Sequence, residues 1–232
     1  MHQLTLDIAR PPRPSLENFV IGANAQLLAA LRATLGIADN AMVETRICVW
    51  GAKGSGKTHL LQACASQSSG FFMDCAKATD VQADLAAVEE SMLLAIDEVE
   101  RLDDAGQVAL FNLINRRSAG TAAATVLVAC SQPPAATALR ADLATRLAQG
   151  LVLELVALSD ADKAAALAQH ARLRGIALAD DITRYLLTHL QRDLPSLIAV
   201  LDALDKVSLQ RQRPITVPLL REILQTPLDL PD

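Results

Sequence analysis

The chain has 232 residues, 51% of them hydrophobic, and a net charge of −5 at neutral pH. That is ample for a folded core and too acidic for nucleic-acid binding by bulk electrostatics. Aromatic residues are only 3%, so platforms for stacking single-stranded bases are scarce and a protein partner is the better expectation. No apolar stretch approaches the ~20 residues of a membrane span, and Met1 to Asp7 lack the basic start and apolar centre of a signal peptide, so a cytoplasmic setting without a membrane is expected.

Residues 1–8 carry alternating apolar positions, and Ala9 to Ser15 hold too many prolines for a helix or a central strand, which reads as a tail on a stiff linker. From Leu16 the pattern becomes regular. A helix is expected around Asn24 to Leu35, a strand at Ile47 to Trp50, a second helix after Thr58, and a strand at Phe71 to Met73. Residues 74–91 leave room for one helix, with Thr79 and Asp80 as its cap and Val81, Leu85 and Val88 on one face. Met92 to Glu98 reads as a buried strand ending in two carboxylates. Helix Ala105 to Arg116, strand Thr125 to Cys130 and strand Leu151 to Leu155 come next. Five strands alternating with helices imply a parallel sheet. After Leu158 only helices are expected. They start at Ser159, at Asp180 or Asp181, at Asp193 with Pro195, and at Thr216 with Pro218, and they form a small all-α lid.

The segment joining the first strand to its helix carries the chemistry. Gly51 to Thr58 matches G-x-x-x-x-G-K-[ST] in full, between an apolar strand and a helical run. Gly51, Gly54, Ser55 and Gly56 let successive backbone N–H groups turn inward around phosphates, Lys57 adds a point charge, and the Thr58 hydroxyl suits Mg²⁺. His59 comes next in the same turn and is grouped with this nucleotide set. Asp97, at the end of its strand, has the position to hold Mg²⁺ opposite Thr58, and Glu98 to orient or deprotonate an attacking water. Ser131 ends the fourth strand, where ligands of open α/β sheets lie, and reads equally as a contact to the terminal phosphate or as a polar turn residue. Arg146 precedes the fifth strand and Arg192 precedes the third lid helix. On spacing alone each is also compatible with an ordinary surface arginine. Cys48, Cys64, Cys75 and Cys130 lack metal spacing and read as packed thiols. The scattered His2, His59, His170 and His189 suggest no metal beyond nucleotide-bound Mg²⁺.

The order of phosphate loop, apolar Asp-Glu strand, polar residue after the fourth strand, Arg146, and Arg192 in a helical lid resembles the AAA+ superfamily, and within it the DnaA clade. The tracts Leu158 to Lys163, Ala171 to Gly175 and Leu201 to Asp205 are most similar to the Hda-type regulators of that clade, and Leu16 to Gly22 is similar to the strand that leads into a DnaA-type core near the adenine. The resemblance spans essentially the whole chain. It implies a P-loop AAA+ α/β core over residues 16–158, a helical lid over 159–232 and a clamp-binding tail over 1–15. Gln3, Leu4, Thr5 and Leu6 are similar to the Q-L-[SP]-L peptide that docks on the β-subunit sliding clamp of DNA polymerase III.

The resemblance implies a negative regulator of bacterial replication initiation. Holding ADP or ATP with Mg²⁺, ADP being the nucleotide implied, it would dock on the DNA-loaded clamp and offer Arg146 in trans to ATP bound in DnaA. Arg192 would couple the lid to the nucleotide. The extra helix that DnaA initiators use on single-stranded DNA has no room here, so sequence-specific or melting contacts with DNA are not expected. Hda-type proteins can lack a glutamate at position 98, so Glu98 keeps intrinsic hydrolysis open. A helicase-loader ATPase and a non-enzymatic clamp-tethered adaptor are the alternatives, and a homodimer or larger oligomer also stays open.

Overall fold

The computed structural model describes residues 13–35, 45–88, 91–119, 124–190 and 193–225. Two compact units divide at Ala157 and Leu158. The first is built on strands β1 (Arg46–Trp50), β2 (Phe71–Asp74), β3 (Leu93–Asp97), β4 (Thr125–Cys130) and β5 (Leu151–Glu154), all parallel, in the order β2-β3-β4-β1-β5. Five helices cover it among the described residues: α1 (Ala25–Thr34), α2 (Lys57–Gln67), α3 (Val81–Ala87), α4 (Asp104–Ala119) and α5 (Ala141–Ala148).

Alternation along the strands decides which helix packs where. Ile47 and Val49 of β1 and Leu127 and Ala129 of β4 join Leu28 and Leu31 of α1 and Leu60, Leu61 and Cys64 of α2 in one core. Their neighbours Cys48, Val126, Val128 and Cys130 face the other way, onto Leu110, Leu113 and Ile114 of α4 and Leu143 and Leu147 of α5. Each fully buried leucine contributes roughly 1.5–3 kcal/mol, so both faces are needed to hold a sheet that has apolar side chains on each. All four cysteines are buried free thiols. Burial pushes the Cys64 thiol up to about 12, which matches a packing role.

Two expectations change. Leu16 to Gly22 is not a strand: the segment makes bends and a turn, opened by a reciprocal pair in which Ser15 N donates to Asn18 Oδ1 (2.9 Å) and Asn18 N to Ser15 Oγ (3.2 Å). A local side-chain bond supplies what a neighbouring strand would otherwise provide. β3 also stops one residue early, at Asp97. Glu98 has φ 51° and ψ 48° and opens a 3-10 turn over Val99–Arg101, while Met92 lies before the strand and is exposed.

The second unit holds α6 (Asp160–Leu173), α7 (Asp180–His189), α8 (Leu194–Arg211) and α9 (Val217–Gln225). Ser159 and Asp162 cap α6 reciprocally, and Asp193 accepts from Ser196 N at the start of α8, just before Pro195. Leu167, Ile182, Leu186, Leu197, Leu201, Leu204 and Leu220 make its core. Asp202 on α8 ties down the end of α6, its Oδ1 lying 2.7 Å from both His170 Nε2 and Arg174 Nη1. No helix of the described residues is long and apolar enough to cross a membrane.

Candidate functional site

β1 delivers its last residue, Trp50, into the loop Gly51 to Gly56, and α2 begins at Lys57. Gly51 sits so close to the end of β5 that a β-carbon there would stand 2.4 Å from the Leu155 carbonyl oxygen. Gly56 has φ 102°, open to glycine and rarely to other residues. α2 has no side-chain cap, which leaves its first N–H groups for an anion. Lys57 Nζ lies inside the loop, donating to the carbonyls of Gly51 (2.7 Å) and Ala52 (3.0 Å). The Ser55 hydroxyl is buried and has no hydrogen-bond partner among the described residues. A buried, unpaired hydroxyl just before the uncapped start of α2 fits a phosphate oxygen.

Across the sheet β4 separates β1 from β3, yet the first turn of α2 reaches past it. Thr58 Oγ1 donates to Asp97 Oδ2 at 2.5 Å, and the other oxygen of Asp97 accepts from Glu98 N at 3.0 Å. Asp97 is only 2% exposed. Burial raises its carboxyl above the usual range, opposed by those two hydrogen bonds. A hydroxyl and a buried carboxylate form the hard oxygen pair that suits Mg²⁺, whose charge would favour the ionised acid. The expected pairing of Thr58 with Asp97 is therefore present. Glu98 points elsewhere: its Oε2 lies 3.5 Å from Arg101 Nε. Ser131 donates its backbone N–H to Glu100 Oε1 at 2.9 Å, and Gly51 N donates to Cys130 O at 3.2 Å, which joins the ends of β4 and β1.

His59 turns toward the segment before α1: its Nε2 is 3.3 Å from Ser15 O and its ring is 5.7 Å from that of Phe19. Burial lowers its pKa from 6.5, partly offset by the Ser15 carbonyl. The neutral ring is thus favoured in the folded state. Its stabilising contribution is complete above pH 6.5 and is lost as pH falls from there through the lower folded value. His59→Gln should flatten the decline in thermal stability below pH 6.5, measured by melting temperature against pH. An unchanged slope would refute that linkage.

Arg146 lies in the last turn of α5. Its Nη1 donates to Gln149 Oε1 at 3.2 Å, while its Nε is buried without a partner among the described residues. The guanidinium is thus held at one corner. Arg192 and the tail residues Gln3, Leu4, Thr5 and Leu6 lie outside the described residues.

Two further residues shape the site with little signal in the sequence. Asn24 precedes α1 and has the chemistry of its cap, but its side chain instead pairs with both backbone groups of Val156, donating at 2.9 Å and accepting at 2.8 Å. Glu100 is overshadowed by the adjacent acids Asp97 and Glu98; its only signal is a third carboxylate two positions on.

Two family models match parts of the chain. The family described as "Bacterial DnaA ATPAse domain" matches residues 11–83, and the one described as "Hda, lid domain" matches residues 160–224. A protein of Haemophilus influenzae described as uncharacterized is 34% identical over 230 residues, spanning 96% of this chain and 98% of its own. Domain III of the Thermotoga maritima replication initiation protein DnaA superposes with a TM-score of 0.67 at 18% identity, covering 96% of this chain and 100% of that one. AMPPCP-bound DnaA from Aquifex aeolicus gives 0.65 at 17% identity over 88% and 71%. The Thermotoga maritima RuvB Holliday junction branch migration motor gives 0.67 at 21% over 94% and 73%. At such identities these structures speak to the fold, which is that of an AAA+ core followed by a helical lid.

Proposed function

This chain belongs to the Hda/DnaA-related family of AAA+ replication regulators, and from that premise we propose that it silences replication initiation by driving hydrolysis of ATP held in DnaA. Its own nucleotide, ADP, would sit in the loop Gly51 to Thr58 with Lys57 at the phosphates. Thr58 and Asp97 would hold Mg²⁺, a cation that neutralises phosphate charge. Bound nucleotide sets the shape in which the protein acts. The residues Gln3 to Leu6 dock on the sliding clamp and bring Arg146 to the partner's ATP.

The observation that supports this reading is Arg146 itself. Two of the guanidinium's three nitrogens have no partner among the described residues, and the third has only the Gln149 amide. A structural arginine is ordinarily spent on a carboxylate or on backbone carbonyls, as Arg174 is on Asp202. When water attacks the γ-phosphorus of DnaA-bound ATP, the bond from that phosphorus to the β,γ-bridging oxygen breaks, ADP leaves with the electron pair and inorganic phosphate forms, and negative charge develops on the bridging oxygen and around the transferred phosphoryl group. A planar cation placed there in trans lowers the barrier.

Docking through a short peptide works by effective concentration, since the clamp holds the regulator near its target without improving the catalytic contact. Deletion of residues 1–8 is therefore expected to raise the concentration needed for half-maximal ADP production by clamp-loaded DNA and ATP-bound DnaA. The increase should be about a hundredfold, with the rate at saturation preserved. Equal potency of full-length and truncated protein would remove the clamp from the proposal. Acid extraction of the purified protein should release ADP. Rapid turnover of ATP by the isolated chain, stimulated by single-stranded DNA, would instead favour a helicase-loader motor.

A further inference from the structure

The chain changes hand for one residue after β3, and this sorts the acids beyond Asp97. Glu98, at φ 51°, sends its carboxylate outward to Arg101. The 3-10 turn then brings Glu100 back over the sheet, where Oε1 accepts the Ser131 backbone N–H at 2.9 Å. β4 runs between β3 and β1, so Ser131 stands between Asp97 at one strand end and Gly51 at the other.

From this geometry we infer that Glu100 is a positioning residue of the phosphate site, fixing Ser131 so that its hydroxyl meets the terminal phosphate of a nucleoside triphosphate. The inference rests on the reading that nucleotide phosphates occupy the loop Gly51 to Thr58. Ser131 is exposed and its hydroxyl makes no hydrogen bond among the described residues, although its backbone is held. The second oxygen of Glu100 is buried and also lacks a partner there. As a simple staple for the end of β4, an acid that buries an unpaired oxygen is a poor choice. As the group that aims Ser131 it acts where the absence of a γ-phosphate distinguishes a diphosphate, and so bears on which nucleotide the protein retains.

The test is calorimetric titration of full-length protein with ATP and with ADP, each with Mg²⁺. Ser131→Ala should lower affinity for ATP relative to ADP by about tenfold to a hundredfold, the worth of one hydrogen bond to a charged group. Glu100→Ala should give the same shift with ADP affinity unchanged, and combining the two should add nothing further. Glu100→Gln keeps an acceptor oxygen for the Ser131 N–H and should restore the wild-type ratio. Glu100→Asp, which draws the acceptor back by one methylene, should reproduce the shift even where the alanine variant fails to fold. A shift in Ser131→Ala alone, with Glu100→Ala and Glu100→Asp behaving as wild type, would overturn the role of Glu100. So would equal losses for ATP and ADP in the Glu100 variants, which mark a structural role only. Failure of the wild type to bind either nucleotide would instead overturn the reading of the loop, and this inference with it.

Discussion

Arg146→Ala is expected to return ADP production by clamp-bound, ATP-loaded DnaA to its unstimulated rate, a loss of about 10³-fold or more where the arginine acts as a finger in trans. The structure makes the effect separable from folding. The substitution removes one exposed hydrogen bond, to Gln149 at 3.2 Å, and a buried Nε that has no partner among the described residues. The stability change should stay within about 1 kcal/mol. Melting temperature and clamp affinity of the variant should match the wild type, while the stimulated rate disappears. Arg146→Lys sharpens the test: a lysine keeps the charge but not the planar fork, so a role in gripping phosphoryl oxygens allows it only partial activity. Full stimulation by Arg146→Ala would end the proposed role and leave a tethering adaptor as the reading.

The phosphate loop, Asp97 and the four lid helices are legible in the sequence because their signals are local. An apolar run followed by glycines at fixed spacing, a serine or aspartate before a helical pattern, and Pro195 in a first turn each specify geometry within a few residues. The features that stay hidden depend on groups far apart in the chain. Asn24 has the chemistry of a cap, and nothing near it reveals that its amide serves Val156, 132 positions on. Leu16 to Gly22 is similar to a strand of DnaA-type cores, but here it joins neither edge of the order β2-β3-β4-β1-β5, and the Ser15–Asn18 pair turns the chain instead. Glu98 and Glu100 share a sequence neighbourhood with Asp97; only the left-handed residue between strand and 3-10 turn decides which acid faces Arg101 and which faces Ser131.

Gly51→Ala is expected to damage both stability and nucleotide binding, and for a reason apart from the flexibility usually credited to glycines in such loops. The added β-carbon would stand 2.4 Å from the Leu155 carbonyl oxygen and 3.1 Å from the Ser55 hydroxyl. The first contact is with backbone, which cannot rotate away, so either β1 or the end of β5 must move. Leu155 N donates to Trp50 O at 2.7 Å, and the next residue, Val156, is held at both backbone groups by Asn24. A shift at Leu155 therefore strains three hydrogen bonds as well as the edge of the sheet, and the cost should reach the upper part of the overpacking range, about 3 kcal/mol. Gly54→Ala is the control: nothing lies within 4 Å of its β-carbon, and only its φ of 79° opposes the side chain, a strain of about 1–2 kcal/mol. Chemical denaturation of the two variants should rank Gly51→Ala as the less stable, with protection from hydrogen exchange lost at Val156 in that variant alone. The opposite ranking would mean that loop conformation, and not the packing of Gly51 on Leu155, sets the requirement for glycine at the start of the loop.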